Sequence, residues 1–150
     1  MYHSICKWYH WTRIVLPQTH FVWLSRNCDV DFAGSKADRK STSGTYHFLS
    51  NSLVSWSSKK QFCVALSTTK AEYITAGLCC AQILWEKQNL VNFGLHFYNT
   101  RILCDNTSAI NISKNSALHS RTRHIDVRHH FLRDQVEKQD VSLIYVDTRH

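Results

Sequence analysis

Three acidic residues, Asp29, Glu72 and Asp105, have the types and the settings that suit chemistry in this 150-residue chain. Asp29 lies with Asp31 in a β-rich run, although Asp is depleted in strands and an inward charge is costly without a partner. A cation is the natural partner, and hard oxygen ligands select Mg²⁺ or Mn²⁺. Several carboxylates beside a basic surface suit metal-assisted cleavage of a phosphodiester. The three acids lie too far apart in sequence to meet locally, so only a tertiary fold brings them together. Each also has a structural explanation. Glu72 completes a capping box, Thr69-x-x-Glu72, and Asp105 with Asn106 caps a following helix.

The elements that must position these acids follow from the hydrophobic patterning. Residues 21–32 read as a strand with Cys28, Val30 and Phe32 on one face and Asp29 and Asp31 on the other. Two β-rich runs, 44–49 and 53–56, form a hairpin through residues 50–52. A long helix spans about 68–93, with Ser67, Thr68 and Thr69 as capping residues and Gly94 as its stop. Its expected buried stripe is Ala71, Ile74, Leu78, Ala81 and Trp85, with Ile83 and Leu84 beside it. A short strand at 101–104, a short helix at 106–113, a basic connection at 116–123, a helix at 124–138 and a last strand at 141–146 complete the chain. In the last helix Ile125, Arg128 or His129, Leu132 and Val136 share one side. This order predicts an α/β fold, a mixed five-stranded sheet with an antiparallel hairpin side, parallel crossovers and flanking helices. In such sheets polar sites collect at the carboxyl ends of neighbouring strands and at helix amino termini.

Composition supports a packed core: 43% of residues are hydrophobic, 19% are charged, and Pro and Gly are scarce. The formal charge of +7 favours polyanionic partners such as nucleic acid. The stretches are too short and too interrupted for a membrane span, and the amino terminus lacks the apolar core of a secretion signal, which implies an intracellular protein. The six cysteines, Cys6, Cys28, Cys63, Cys79, Cys80 and Cys104, show no C-x-x-C spacing and read as reduced, mostly buried thiols.

Six motifs in register then carry a resemblance. Asp29-Val-Asp-Phe-Ala-Gly34, Asp38-Arg-Lys-Ser-Thr-Ser-Gly44, Val54-Ser-Trp-Ser-Ser-Lys-Lys-Gln61 and Val64-Ala-Leu-Ser-Thr-Thr-Lys-Ala-Glu-Tyr73 occur in that order, followed by Cys104-Asp-Asn-Thr-Ser-Ala-Ile110 and the run from His119 to Phe131, and the match continues to Val146. Together they resemble the ribonuclease H domain of copia-type retrotransposon Pol polyproteins. The resemblance implies a ribonuclease H-like domain over 21–150, preceded by an atypical or poorly ordered leader over 1–20. It implies cleavage of the RNA strand of RNA:DNA hybrids during reverse transcription, with Mg²⁺, or Mn²⁺, as cofactor. Asp29, Glu72 and Asp105 match the family's first three carboxylates, catalytic and metal-holding, with Asp29 bridging both ions. The implied partners are the hybrid and the reverse transcriptase portion of the polyprotein, in a cytoplasmic retroelement particle or the nucleus.

Departures from the family pattern set the alternative. The fourth carboxylate belongs to a Gln-Leu-Ala-Asp-type motif beyond the last strand, and the chain reaches His150 without it; Asp147 lies too early to replace it. The enzyme assignment is therefore open, and the alternative is a catalytically impaired remnant that binds nucleic acid or serves another interaction. Lys70 stands where family members often carry Glu, which disfavours the helix dipole but offers a cation to a phosphate. Ser67, Thr68, Thr69, Lys70 and Asn106 are the expected substrate-binding residues. Lys36, Arg39, Lys40, Lys59 and Lys60, with Arg121, Arg123, Arg128 and Arg133, offer a phosphate-tracking surface, although such residues are commonly just solvated. His124, His129 and His130 have no Cys or carboxylate at matching spacing, so a surface or core role is expected for them rather than zinc.

Overall fold

The computed structural model describes residues 24–50, 52–114 and 127–147; the expected leader, the basic residues Arg121 and Arg123, and His124 lie outside them. Among the described residues there are five strands, β1 (Leu24–Asp31), β2 (Thr42–Leu49), β3 (Ser52–Lys60), β4 (Thr100–Cys104) and β5 (Val141–Tyr145), and three helices, α1 (Thr68–Val91), α2 (Thr107–Lys114) and α3 (Val127–Glu137). The strand order is β3-β2-β1-β4-β5. β1, β2 and β3 pair antiparallel, whereas β4 runs parallel to β1 and β5 parallel to β4. A parallel neighbour requires a crossover, which α1 supplies between β3 and β4, and α2 with α3 between β4 and β5. This is the mixed sheet that the hydrophobic patterning predicts.

The hairpin is longer than its apolar runs suggest. β3 continues through Ser57, Ser58, Lys59 and Lys60, because Lys60 pairs with Thr42 and Ser58 with Gly44 at the far end of the ladder. Ladder hydrogen bonds come from the backbone, so this polar stretch pairs although it buries little.

The core lies between the sheet and α1. Cys28 of β1, Ile102 and Cys104 of β4, and Val141 and Leu143 of β5 meet Tyr73, Ala76, Cys79, Cys80 and Ile83 of α1. Leu132 of α3 and Ile110 of α2 close the cluster. Four of the five described cysteines are buried as free thiols, as expected, whereas Cys63 is exposed.

Two readings of α1 need correction. Its inward row is Glu72, Ala76, Cys79, Ile83 and Glu86, with Tyr73, Thr75 and Cys80 beside it. Leu78, Ala81 and Trp85 point outward, and Trp85 is 62% exposed. Apolar spacing missed the phase because the buried face includes polar residues that find partners. His47 Nδ1 lies 3.2 Å from Glu86 Oε2, and Thr75 Oγ1 donates to Ala71 O at 3.0 Å. The second correction concerns the helix start. Ser67 is the N-cap, its Oγ accepting from Lys70 N at 3.2 Å. The box Thr69-x-x-Glu72 does not form, since Glu72 lies more than a turn inside the helix on its buried face. The helix ends at Val91, two residues before its expected limit, and Gly94 adopts φ 74°, where a Cβ would be strained. Among the described residues, no helix is long and apolar enough to cross a membrane.

Candidate active site at the ends of the two central strands

β1 and β4 are parallel neighbours at the centre of the sheet, so their carboxyl ends open on the same edge, where α/β sheets collect ligands. Asn27 pairs with Leu103, and the same register carried two residues further sets Asp29 level with Asp105. α1 contacts both strands and brings Glu72 toward them.

The acids sense one another. Glu72 is 7% exposed, and its pKa is pushed up to about 8, first by burial and then by the charges of Asp105, Cys104 and Asp29. Its Oε2 atom is buried without a hydrogen-bond partner. Asp29 is half-buried and its pKa is also raised, first by burial and further by Asp105 and Asp31, while the Val30 amide opposes the shift by donating to Oδ1 at 2.9 Å. Mutual repulsion around an unpartnered oxygen is what carboxylates show when a cation is their natural partner. The oxygen donors have the chemistry that suits a hard divalent cation, but the three carboxylates do not form a group within 4.8 Å of one another. Asp31 is exposed, and its carboxylate lies so close over Gly34 that a Cβ there would collide with it.

A buried polar network fixes the first turns of α1. Gln61 Nε2 donates to Ser43 Oγ at 3.0 Å, to Ala71 O at 3.0 Å and to Thr75 Oγ1 at 3.3 Å. Ser43 and Thr75 share a 2.7 Å hydroxyl bond, so β2, the loop before α1 and the helix itself are tied together beside Glu72.

Of the expected substrate-binding residues, Ser67 and Thr68 are exposed at the start of α1, and Thr69 and Lys70 are half-buried there. The Ser67 hydroxyl is already engaged as the cap. Asn106 likewise caps α2, its Oδ1 accepting from Ala109 N at 2.9 Å. Lys60 pairs with Asp38 at 2.6 Å and Arg133 with Glu137 at 3.0 Å, while Lys36, Arg39 and Lys59 are exposed. His130 is exposed.

Two thiols beside Glu72 were not among the expected site residues. Among the described residues, the ligand atoms that come within 4.8 Å of one another are those of Cys28, Glu72 and Cys104, rather than the three carboxylates. Strand alternation is the reason: Cys28 faces the core toward α1, and the next residue, Asp29, turns the other way. The Cys28 thiol donates to Leu103 O at 3.3 Å and the Cys104 thiol to Asn106 O at 3.8 Å, and the neighbouring Cys104 thiol together with burial raises Cys28 well above the usual thiol range. The available signal was that each cysteine directly precedes one of the strand acids.

Comparison with known proteins agrees with this architecture. No protein-family model matches the chain. Over 120 residues, 80% of its length, the chain is 44% identical to the retrovirus-related Pol polyprotein from transposon TNT 1-94 of Nicotiana tabacum. Over 136 residues, 90% of its length, it is 34% identical to the corresponding polyprotein from transposon RE1 of Arabidopsis thaliana. Among solved structures it resembles LC11 ribonuclease H1, crystallised with an RNA/DNA hybrid, at TM-score 0.52 and 10% identity over 83% of this chain and 85% of that one. The chain is a ribonuclease H-like segment related to transposon Pol polyproteins. A second fold neighbour is an N-terminal ribonuclease H domain from Mycobacterium tuberculosis, solved as a fusion with maltose-binding protein, at TM-score 0.51 and 12% identity over 85% of this chain and 84% of that one. The ribonuclease H-like segment spans 9% of the length of each polyprotein it matches. The copia-type resemblance read from its motifs therefore stands.

Proposed function

We propose that this ribonuclease H-like segment cleaves the RNA strand of RNA:DNA hybrids within a retrotransposon Pol polyprotein, beside its reverse transcriptase portion and in an intracellular setting. The observation that carries the reading is the electrostatic coupling of Asp29, Glu72 and Asp105 around a buried, unpartnered carboxylate oxygen. These three would hold Mg²⁺, or Mn²⁺. Such ions, when bound, would supply the charge stabilisation and the activated water that hydrolysis of a phosphodiester requires.

The chain's own residues do the positioning. Asp29 and Asp105 present carboxylates from the ends of adjacent strands, and the Gln61 network holds Glu72 in place on α1. Thr68, Thr69 and Lys70 at the helix start offer hydroxyls and a cation to backbone phosphates, with Ser67 and Asn106 as caps that shape the same surface. The test is incubation of the purified chain with labelled hybrid in Mg²⁺ or Mn²⁺. Cleavage abolished by Asp29→Asn is the expected result, and a chain without any such cleavage defeats the catalytic reading.

One observation favours the second reading, a nucleic-acid-binding remnant without turnover: among the described residues, the ligand atoms that converge within 4.8 Å with Glu72 are two thiols rather than the other two carboxylates. Salt-sensitive hybrid binding with intact substrate would support it, and failure to bind hybrid at low salt would remove it.

A further inference from the structure

We propose that Cys28, Cys104 and Glu72 form a binding site for a thiophilic divalent cation such as Zn²⁺ or Cd²⁺, seated at the ends of the two central strands. The three residues come from β1, β4 and α1, and their ligand atoms lie within 4.8 Å of one another. Tetrahedral zinc with about 2.3 Å bonds to sulfur and 2.0–2.2 Å bonds to oxygen holds such atoms roughly 3.5–3.8 Å apart, so small side-chain rotations close the site. Cys28 is 1% exposed and Cys104 wholly buried, on the paired central strands β1 and β4. A second, independent observation points the same way. Glu72 Oε2 is buried without a hydrogen-bond partner beside the two thiols.

Ligand softness decides the class of ion. Two thiolates and one carboxylate match zinc or cadmium and are poor company for Mg²⁺, which prefers all-oxygen shells. Three protein ligands leave a fourth position for water. Each thiol releases its proton to solvent as its sulfur ligates, so no electron transfer is involved. Because Glu72 is shared with the proposed hard-ion set, a bound soft ion withdraws that carboxylate from it.

The experiment is a Cd²⁺ titration of the full chain in a non-thiol reductant, following the ultraviolet thiolate-to-cadmium charge-transfer band. One equivalent should saturate the band. Cys28→Ala and Cys104→Ala should each abolish tight binding, whereas Cys63→Ala, at an exposed thiol, should leave it intact. Circular dichroism checks that each variant folds. Glu72→Gln keeps shape and both sulfurs, and it should weaken Cd²⁺ binding at least ~10-fold, the loss that even an outer-shell partner brings. A missing band in the unmodified chain, a band that survives both cysteine substitutions, or equal affinity in Glu72→Gln would overturn the proposal. The readout is binding, so its failure leaves the hybrid-cleavage reading standing, and a chain without nuclease activity leaves this site testable.

Discussion

Glu72 shows how one side chain ties stability to pH. Its carboxyl titrates at about 8 in the folded chain against 4.5 for the free group. A raised folded pKa means that the native state binds the extra proton, so the favourable contribution is complete below about 4.5 and is lost as pH rises through about 8. The difference is on the order of a few kcal/mol, since each pKa unit corresponds to about 1.4 kcal/mol. Asp29 shifts in the same direction and adds to the slope. Urea denaturation in EDTA should therefore give a higher midpoint at pH 5 than at pH 8, and Glu72→Gln should flatten that difference. A midpoint independent of pH in the unmodified chain would contradict the burial and crowding of this carboxyl. At this scale the acids were legible, because each stands in a recognisable motif. The thiols were not, because which face a strand residue takes depends on pairing across a long separation.

Among the elements, α1 offers the sharpest contrast between fold and function. Ser67 is its N-cap and Lys70 occupies the position where a Glu would reach back to complete a capping box. Lys70→Glu should stabilise the chain by about 0.5–1 kcal/mol through that box and the helix dipole, read as a higher midpoint in thermal melts. If Lys70 meets a hybrid phosphate, the same substitution should weaken hybrid binding, so stability and affinity move in opposite directions. Gln61 governs the same helix from outside. Gln61→Ala removes the donor to Ser43, Ala71 and Thr75 and leaves buried acceptors behind. The expected loss is about 1–3 kcal/mol, measurable by urea denaturation. The existence and approximate limits of α1 were readable from its cap residues and length. Its buried face was not, since Thr75 and Glu86 lie inward on partners supplied by distant elements and Glu72 lies inward with an unpartnered oxygen, while Leu78 and Trp85 lie outside. A hydrophobicity pattern records neither fact.

Across the whole molecule, topology was the most legible property, since alternating runs and one long helix restrict the sheet to few arrangements. The distribution of its charge depends instead on which cations are already paired. The formal charge of +7 favours a nucleic-acid partner, yet Lys60 is held by Asp38 at 2.6 Å, and that ion pair keeps the Asp38 carboxyl well below the usual range. Lys36, Arg39 and Lys59 are exposed around the same β2–β3 end. Each phosphate contact contributes a salt dependence of about one unit in the slope of log K against log salt. If this end of the sheet carries the hybrid, Lys59→Ala should lower that slope by about one unit and weaken binding uniformly across sequences. Lys60→Ala should change it less, because it removes a cation already matched by Asp38. Fluorescence anisotropy with a labelled hybrid over a salt series separates the two. Equal slopes in the unmodified chain and in Lys59→Ala would move the nucleic-acid path away from the hairpin end.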